Sequence, residues 1–355
     1  MLDLGEQPPA DLFPAAEDPG PDESFPLRLW LCESCGLAQL WGEGPEPAEP
    51  RAIEPQALVA QAREAVEWVV KDQQVRAGQS LLEYGSPHGG SWTALLEERG
   101  LAQTKGDTAD VIVDCFGLMH APDQRAAIEE RTTRLADQGQ LFIQYHSLGA
   151  ILLLNQWNAL RHGHFAYYTG SVLQTMLADQ GLTVRDATRF LLYGGTVLLG
   201  AARGKNGRTP QLFAGEDSIA RKTPESFSSL QAAADQTATA LRAWLAQMRV
   251  DGKAVAGYGA ASRAVSVVSR AGLDPGLLGF VADASPTKIG RRFPNSTIPI
   301  FAPQAIAEQR PEVVLVFVPD MIDEVRAMFP EHERSGRRFA VLDPLPHVLE
   351  PRVRL

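Results

Sequence analysis

The densest group of acid/base-capable side chains is Arg161-His162-Gly163-His164 followed by Tyr167 and Tyr168, which holds two of the seven histidines, with His146 upstream. A neutral imidazole can take a proton from carbon beside a carbonyl, and a phenol can donate to the enolate that develops. A wet loop with solvated histidines would read the same way. Two glycine turns follow strand-like runs. Glu83-Tyr84-Gly85-Ser86-Pro87-His88-Gly89-Gly90 lets a backbone approach a ligand ahead of a helix N-terminus, or marks a plain turn. Gly257-Tyr258-Gly259-Ala260-Ala261-Ser262 lies between a strand and a helix, with Asp283 downstream where a ribose-binding acid would sit. Tight packing of strand on helix would also require small residues there. Finally, Cys32-Glu33-Ser34-Cys35-Gly36 is half of a zinc knuckle. A structural zinc needs four ligands, so the pair is a relic, a free dithiol, or a site completed by unusual ligands.

These residues must be positioned by a chain of 355 residues, long enough for two or three domains. The net charge of −10 is not spread evenly. Residues 1–55 hold twelve acidic side chains against Arg28 and Arg51, together with ten of the 25 prolines. Residues 56–355 are electrically balanced, which argues against a nucleic-acid or anionic-membrane binder. Three cysteines make no disulfide framework, and no apolar run is long enough to span a bilayer, so a cytoplasmic protein is expected. In the acidic segment one strand is predicted over Pro26–Cys32. A helix over Pro55–Lys71 follows, then strands at Ser80–Gly85, Ala109–Asp114 and Gly139–Gln144, and a hairpin of Leu182–Arg185 with Leu191–Ala201. Gly204–Pro210 reads as a linker. A long helix over Pro224–Val250 leads to a second set of strands at Lys253–Ala256, Leu277–Ala282, Val313–Val318 and Phe339–Leu342. The expected fold class is α/β: two consecutive Rossmann-like αβα units, the first shortened, behind a small Pro-rich zinc-ribbon-like remnant. The boundaries are 1–55, 56–205 and 206–355.

These pieces, in this order, resemble the sugar C-methyltransferases of deoxysugar biosynthesis, which have a zinc-binding domain, an S-adenosylmethionine (SAM) domain and a C-terminal Rossmann-like domain. The likeness is carried by Leu4–Ala10 and Cys32–Leu40, by Ala109–Val113 through His120-Ala121-Pro122-Asp123, and most specifically by Gly257–Ser262 with Ala282-Asp283-Ala284-Ser285-Pro286-Thr287-Lys288-Ile289-Gly290-Arg291. The resemblance implies removal of a proton beside the ketone of a nucleotide-linked 4-keto sugar and transfer of the SAM methyl group to that carbon. It implies His164 as base, with His162 and Tyr167 as supporting donors. Gly85, Ser86, Gly89, Asp114 and Gln144 would face SAM. Gly257, Gly259, Ser262, Lys288 and Arg291 would meet the sugar nucleotide. Cys32 and Cys35 would be what remains of a zinc site whose other cysteines would precede Met1.

The chain departs from the family pattern at several of these positions. The family's Tyr-His-Glu-His reads Arg161-His162-Gly163-His164, its Asn-Asp in the glycine turn reads Pro87-His88, its Asn-Asn after the fourth strand reads Cys115-Phe116, and a Glu is replaced by Gln144. Gly85 and Ala109 are only 24 positions apart, where a SAM domain needs two further strands and a helix. The first expectation is SAM-dependent C-methylation of a keto-sugar nucleotide. The alternatives are enolisation, epimerisation or elimination without SAM, and a non-catalytic scaffold.

Overall fold

The computed structural model describes residues 1–42, 44, 54–87, 89–204, 207–220 and 223–352. The Pro-rich run over 45–50, His88 of the first glycine turn, and 205–206 of the expected linker lie outside the described residues.

Three sheets follow one another. The first contains β1 (Leu2–Gln7), β2 (Phe25–Leu31) and β3 (Ala38–Trp41) as an antiparallel meander. Leu2, Leu4, Leu27 and Leu29 alternate inward, the period-2 pattern of a sheet with one covered face. The strand predicted over Pro26–Cys32 is β2, and prolines of the described segment fall mostly between the strands.

The central unit starts with α1 (Gln56–Lys71), which buries Leu58, Ala62, Ala65, Val66 and Val69 along one stripe. Next come β4 (Ser80–Gly85), α2 (Thr93–Glu97), β5 (Ala102–Gln103), β6 (Ala109–Cys115), α3 (Gln124–Thr133), β7 (Leu135–His146) and α4 (Leu148–Leu153). Asp123 and Ser147 cap α3 and α4, accepting from Ala126 N and Ala150 N. A long loop then contributes β8 (Ala166–Tyr167), which leaves this unit and pairs with β3 as the fourth strand of the first sheet. The helix α5 (Gly170–Ala178) returns to β9 (Leu182–Phe190) and β10 (Thr196–Arg203), giving the sheet order β5-β4-β6-β7-β10-β9. β5, β4, β6 and β7 run parallel, and the last two strands form the predicted hairpin. The shortening falls where the spacing placed it: between β4 and β6 there is a five-residue helix and a two-residue edge strand.

The helices α6 (Gln211–Ala220) and α7 (Thr223–Val250) connect to the third sheet. It comprises β11 (Val255–Tyr258), α8 (Ser262–Arg270), β12 (Val281–Ala282), β13 (Ile300–Phe301), α9 (Gln304–Gln309), β14 (Val313–Val316), α10 (Ile322–Met328), α11 (Pro330–Arg334), β15 (Arg338–Leu342) and β16 (Pro346–Val348), in the order β13-β12-β11-β14-β15-β16. All but β16 are parallel. The strand expected from Leu277 begins only at Val281, because Leu277 N and Leu278 N bond to Asp274 O in a turn. No described helix is long and apolar enough to cross a membrane.

The acidic segment is not a loose arm. Asp3 pairs with Arg28, Asp11 with Arg161, and Asp22 with Arg292, whose Nη1 is 2.6 Å away. Phe13 stacks edge-on against Phe293, and Arg292 N donates to Pro14 O. Asp11 and Asp22 thus tie the segment to cations of the two larger units.

Candidate active site

In a parallel sheet, ligands bind beyond the carboxyl ends of strands, where neighbouring crossovers diverge to opposite sides. The central sheet diverges between β4 and β6, and the C-terminal sheet between β11 and β14. Both points open onto one cleft. Ser86, Gly89 and Phe116 line it from the first, and Gly259, Ser262 and Val318 from the second. Glycine is required at 259, where φ is +90°. Phe116 and Tyr193 also sit at positive φ, 62° and 56°, and both line the cleft. Such backbone strain costs of order 1–3 kcal/mol per residue and collects at ligand sites.

Three histidines line the cleft: His120, His146 and His164. His120 follows β6, and its ring meets that of His164 edge-on at 4.8 Å between centroids. Its Nδ1 lies 2.9 Å from Gly163 O. A carbonyl only accepts, so Nδ1 carries the proton and the Nε2 lone pair faces Ser86 Oγ at 3.4 Å. Burial, with Arg161 nearby, lowers its pKa to about 4. His164 Nε2 accepts from Arg161 Nε at 2.9 Å, and Arg161 in turn pairs with buried Asp11 at 3.1 Å. His164 is therefore oriented by a guanidinium that takes up its lone pair.

His146 ends β7. Its Nδ1 lies 3.4 Å from Arg263 Nη2, and the Arg263 guanidinium stacks on the Tyr193 ring at 4.9 Å. His146 Nε2 is buried and has no hydrogen-bond partner. The Gln156 side chain and the Tyr193 backbone are hydrogen-bonding neighbours of the ring that favour its charged form, and Gln156 Oε1 is itself buried without a partner. Burial first, then Arg263, lowers the His146 pKa to about 3.

On the C-terminal wall Ser262 opens α8, and Lys288 Nζ donates to Ala260 O at 3.0 Å. Burial lowers the lysine's pKa. Asp283 lines the cleft and is fixed by the turn, accepting from Ala260 N at 2.7 Å and Ser285 N at 2.8 Å.

The structure thus brings His164, Ser86, Gly89, Gly259, Ser262, Asp283 and Lys288 to the cleft, and places the other expected residues elsewhere. Tyr167 is buried in β8, where its hydroxyl accepts from Arg161 N and donates to Ala159 O. His162 turns away toward Phe25 and Pro26 O of the first sheet. Asp114 is sealed beneath the cleft, bonded to Arg131 Nε at 2.5 Å and Leu118 N at 3.0 Å. Gln144 forms a reciprocal amide pair with Gln61. Gly257 is a packing glycine: a Cβ there would stand 2.8 Å from Phe317 and 2.9 Å from Val281. Arg291 secures the N-terminal segment through Phe13 O. Gly85 opens instead onto a separate recess with Glu83, Thr93, Gln103 and Thr104. His120, His146, Arg263 and Tyr193 went unassigned from sequence, although a histidine just past a buried parallel strand was the available signal.

SAM carries a sulfonium and an ammonium against one carboxylate, so its net charge is positive. Glu54 meets that chemistry: it lines the cleft, and its Oε1 accepts from Gly90 N at 2.8 Å. The ribose end would meet the recess at β4 and β5. There the Glu83 carboxylate already accepts from Ser91 Oγ, Trp92 N and Thr93 Oγ1 at the start of α2. The residues present fit the cofactor at one end, where Glu54, Ser86 and Gly89 line the cleft. Zinc does not fit in the same way. Cys32 and Cys35 are two thiols, and no group of three or more His, Cys, Asp or Glu gathers among the described residues.

Three family models match the chain in order: a zinc binding domain over residues 1–45, a methyltransferase domain over 100–187 and the C-methyltransferase C-terminal domain over 192–346. Their order along the chain is the domain order expected of a C-methyltransferase. It is similar to the C-methyltransferase NovU of Streptomyces niveus, at 24% identity over 98% of this chain and 94% of that protein. Among solved structures it is similar to the magnesium protoporphyrin IX methyltransferase ChlM of Synechocystis PCC 6803 with bound SAH (14% identity, 42% of this chain, 84% of that chain, TM-score 0.32). The N-methyltransferase NodS of Bradyrhizobium japonicum WM9 is likewise similar (14% identity, 42% and 88% coverage, TM-score 0.32). The α/β assignment rests on the strand order described above.

Proposed function

We propose that this protein uses SAM to methylate a nucleotide-linked keto-sugar at the carbon beside its ketone. The observation carrying the reading is the single cleft onto which both strand-divergence points open, one suited to SAM and the other to a sugar nucleotide, with imidazoles between them. Bound at the first, SAM supplies an electrophilic methyl group. The α8 N-terminus with Ser262, Arg263 and Lys288 offers N–H groups and cations to a diphosphate. The base is His120 rather than His164, because its Nδ1–H is fixed on Gly163 O and its Nε2 lone pair faces the cleft wall. His164, tied to Arg161, braces that ring. A bound diphosphate raises the His120 pKa toward the working range of a general base. Small-molecule ligands, and not nucleic acid or a membrane, suit the balanced charge of residues 56–355.

Calorimetric titration with SAM and S-adenosylhomocysteine, followed by mass-spectrometric assay of nucleotide keto-sugars, tests this. Micromolar binding and a 14-Da gain, the mass of one CH₂ and so roughly that of a single added methyl, are expected. No binding at millimolar ligand refutes methyl transfer. The two-residue β5 favours one second reading, enolisation without SAM, which would show as solvent deuterium exchange in its absence.

A further inference from the structure

Deprotonation beside a ketone leaves negative charge on oxygen, and an enolate in a water-poor cleft needs a hydrogen-bond donor. The two donors expected from sequence, Tyr167 and His162, are turned away from the cleft. We propose that Tyr193 fills the role, donating its phenolic O–H to the ketone oxygen of the substrate and to the enolate formed from it. The proposal rests on the keto-sugar reading above.

The Tyr193 hydroxyl differs from those of the other five tyrosines. Tyr84 donates to Glu130, Tyr145 to Glu216, Tyr168 to Gln124 and Tyr258 to Met328 Sδ, while Tyr167 accepts from Arg161 N. The Tyr193 hydroxyl bonds to no described residue. Tyrosines set this deep normally find a partner. This hydroxyl lies far inside the molecule yet is not sealed, because the residue lines the cleft. The ring is held in place. Arg263 stacks on it at 4.9 Å, and the rings of Phe116 and His146 lie 6.2 Å and 6.1 Å away between centroids. The backbone is fixed as well: the His146 ring and the Asp320 carboxylate are hydrogen-bonding neighbours of it, and they keep a φ of 56° that a tyrosine otherwise avoids. Phe116 in turn bridges to Gly85, and the adjacent Ser86 Oγ faces His120 Nε2, so packed groups connect the donor to the base. Charge agrees with the role. Burial raises the phenol's pKa and keeps it protonated, while Arg263 and Arg161 favour negative charge beside it. In the step itself the C–H pair becomes the C=C bond, the carbonyl π pair moves to oxygen, and the proton goes to His120 Nε2. Tyr193 keeps its proton throughout.

The test is solvent deuterium exchange into a thymidine diphosphate-linked 4-keto-6-deoxyhexose, with S-adenosylhomocysteine present so that no methyl is transferred. Calorimetric titration with the same sugar nucleotide runs beside it. The Tyr193→Phe variant keeps the ring and its stacking on Arg263 and loses only the hydroxyl. Its exchange rate at saturating substrate is expected to fall about 10²–10³-fold, as for loss of one oxyanion donor. Its affinity is expected within about tenfold of wild type, on the scale of one hydrogen bond. The melting temperature should match wild type, since the hydroxyl holds no described residue. If Tyr193→Phe exchanges as fast as wild type, or loses affinity as steeply as rate, or melts earlier in step with slower exchange, the donor role is overturned. A silent wild type instead overturns the keto-sugar reading, and the donor with it.

Discussion

A neutral His146 has a consequence for stability that needs no substrate. An unfolded histidine titrates near 6.5, whereas burial and Arg263 hold this one at about 3. Between those values the unfolded chain binds a proton that the folded cleft refuses. The stability tied to His146 is therefore whole above pH 6.5, falls as the pH drops, and is lost by about pH 3. From pH 7.5 to 5 the span is about 1.5 pH units, or about 2 kcal/mol. Leucine at 146 does not titrate. The gap between His146→Leu and wild type in a urea melt followed by tryptophan fluorescence should therefore widen by about 2 kcal/mol over that range, or about 1 M in midpoint at m of about 2 kcal/mol/M. The difference between the two proteins isolates this residue from the opposing drift of buried carboxyls such as Glu216, whose pKa burial raises. Parallel pH curves would mean that His146 is charged or solvated in the folded protein, and the burial argument would collapse.

Replacing Asp11 by Ala strips the carboxylate from buried Arg161 and should lower unfolding free energy by about 3–5 kcal/mol in the same melt, with Asp11→Ala/Arg161→Met recovering part of it. Removing the His120 imidazole with Ala should slow proton exchange about 10²–10⁴-fold, whereas His164→Ala should cost less than about tenfold; the reverse order would return the base to His164. Gly257→Ala should cost about 1–3 kcal/mol through overpacking against Phe317 and Val281, with sugar-nucleotide affinity in calorimetry unchanged. Chelation of zinc should leave the melting curve of this chain where it is, because Cys32 and Cys35 supply only half of a closed ligand set.

Local pattern made much of the architecture legible. The parallel strands β4, β6, β7, β11 and β14 are apolar runs bounded by turn residues, and α1 carries a one-sided stripe, so both αβ units were readable from periodicity alone. The shortfall between Gly85 and Ala109 was likewise a matter of counting. The meander of the first sheet was read only at β2, since proline density hid strands that place their prolines in the connections. The Leu277 start of a strand was misplaced because Asp274 captures the next amides in a turn.

Residue type fixed which groups could do chemistry; which of them face one cleft was decided by folding. His162, His164 and Tyr167 are neighbours in the chain, yet His162 turns to the first sheet while His164 and Tyr167 stay in ring contact beside Arg161. His120, His146 and Arg263 are 143 positions apart at the extremes, and nothing short-range links them. They meet because strand order turns the carboxyl ends of two separate sheets toward each other. The tautomer of each imidazole is set only by what then lies opposite it: a carbonyl at His120, a guanidinium at His146 and at His164. A sequence specifies the imidazole, and the packed structure specifies which nitrogen carries the proton.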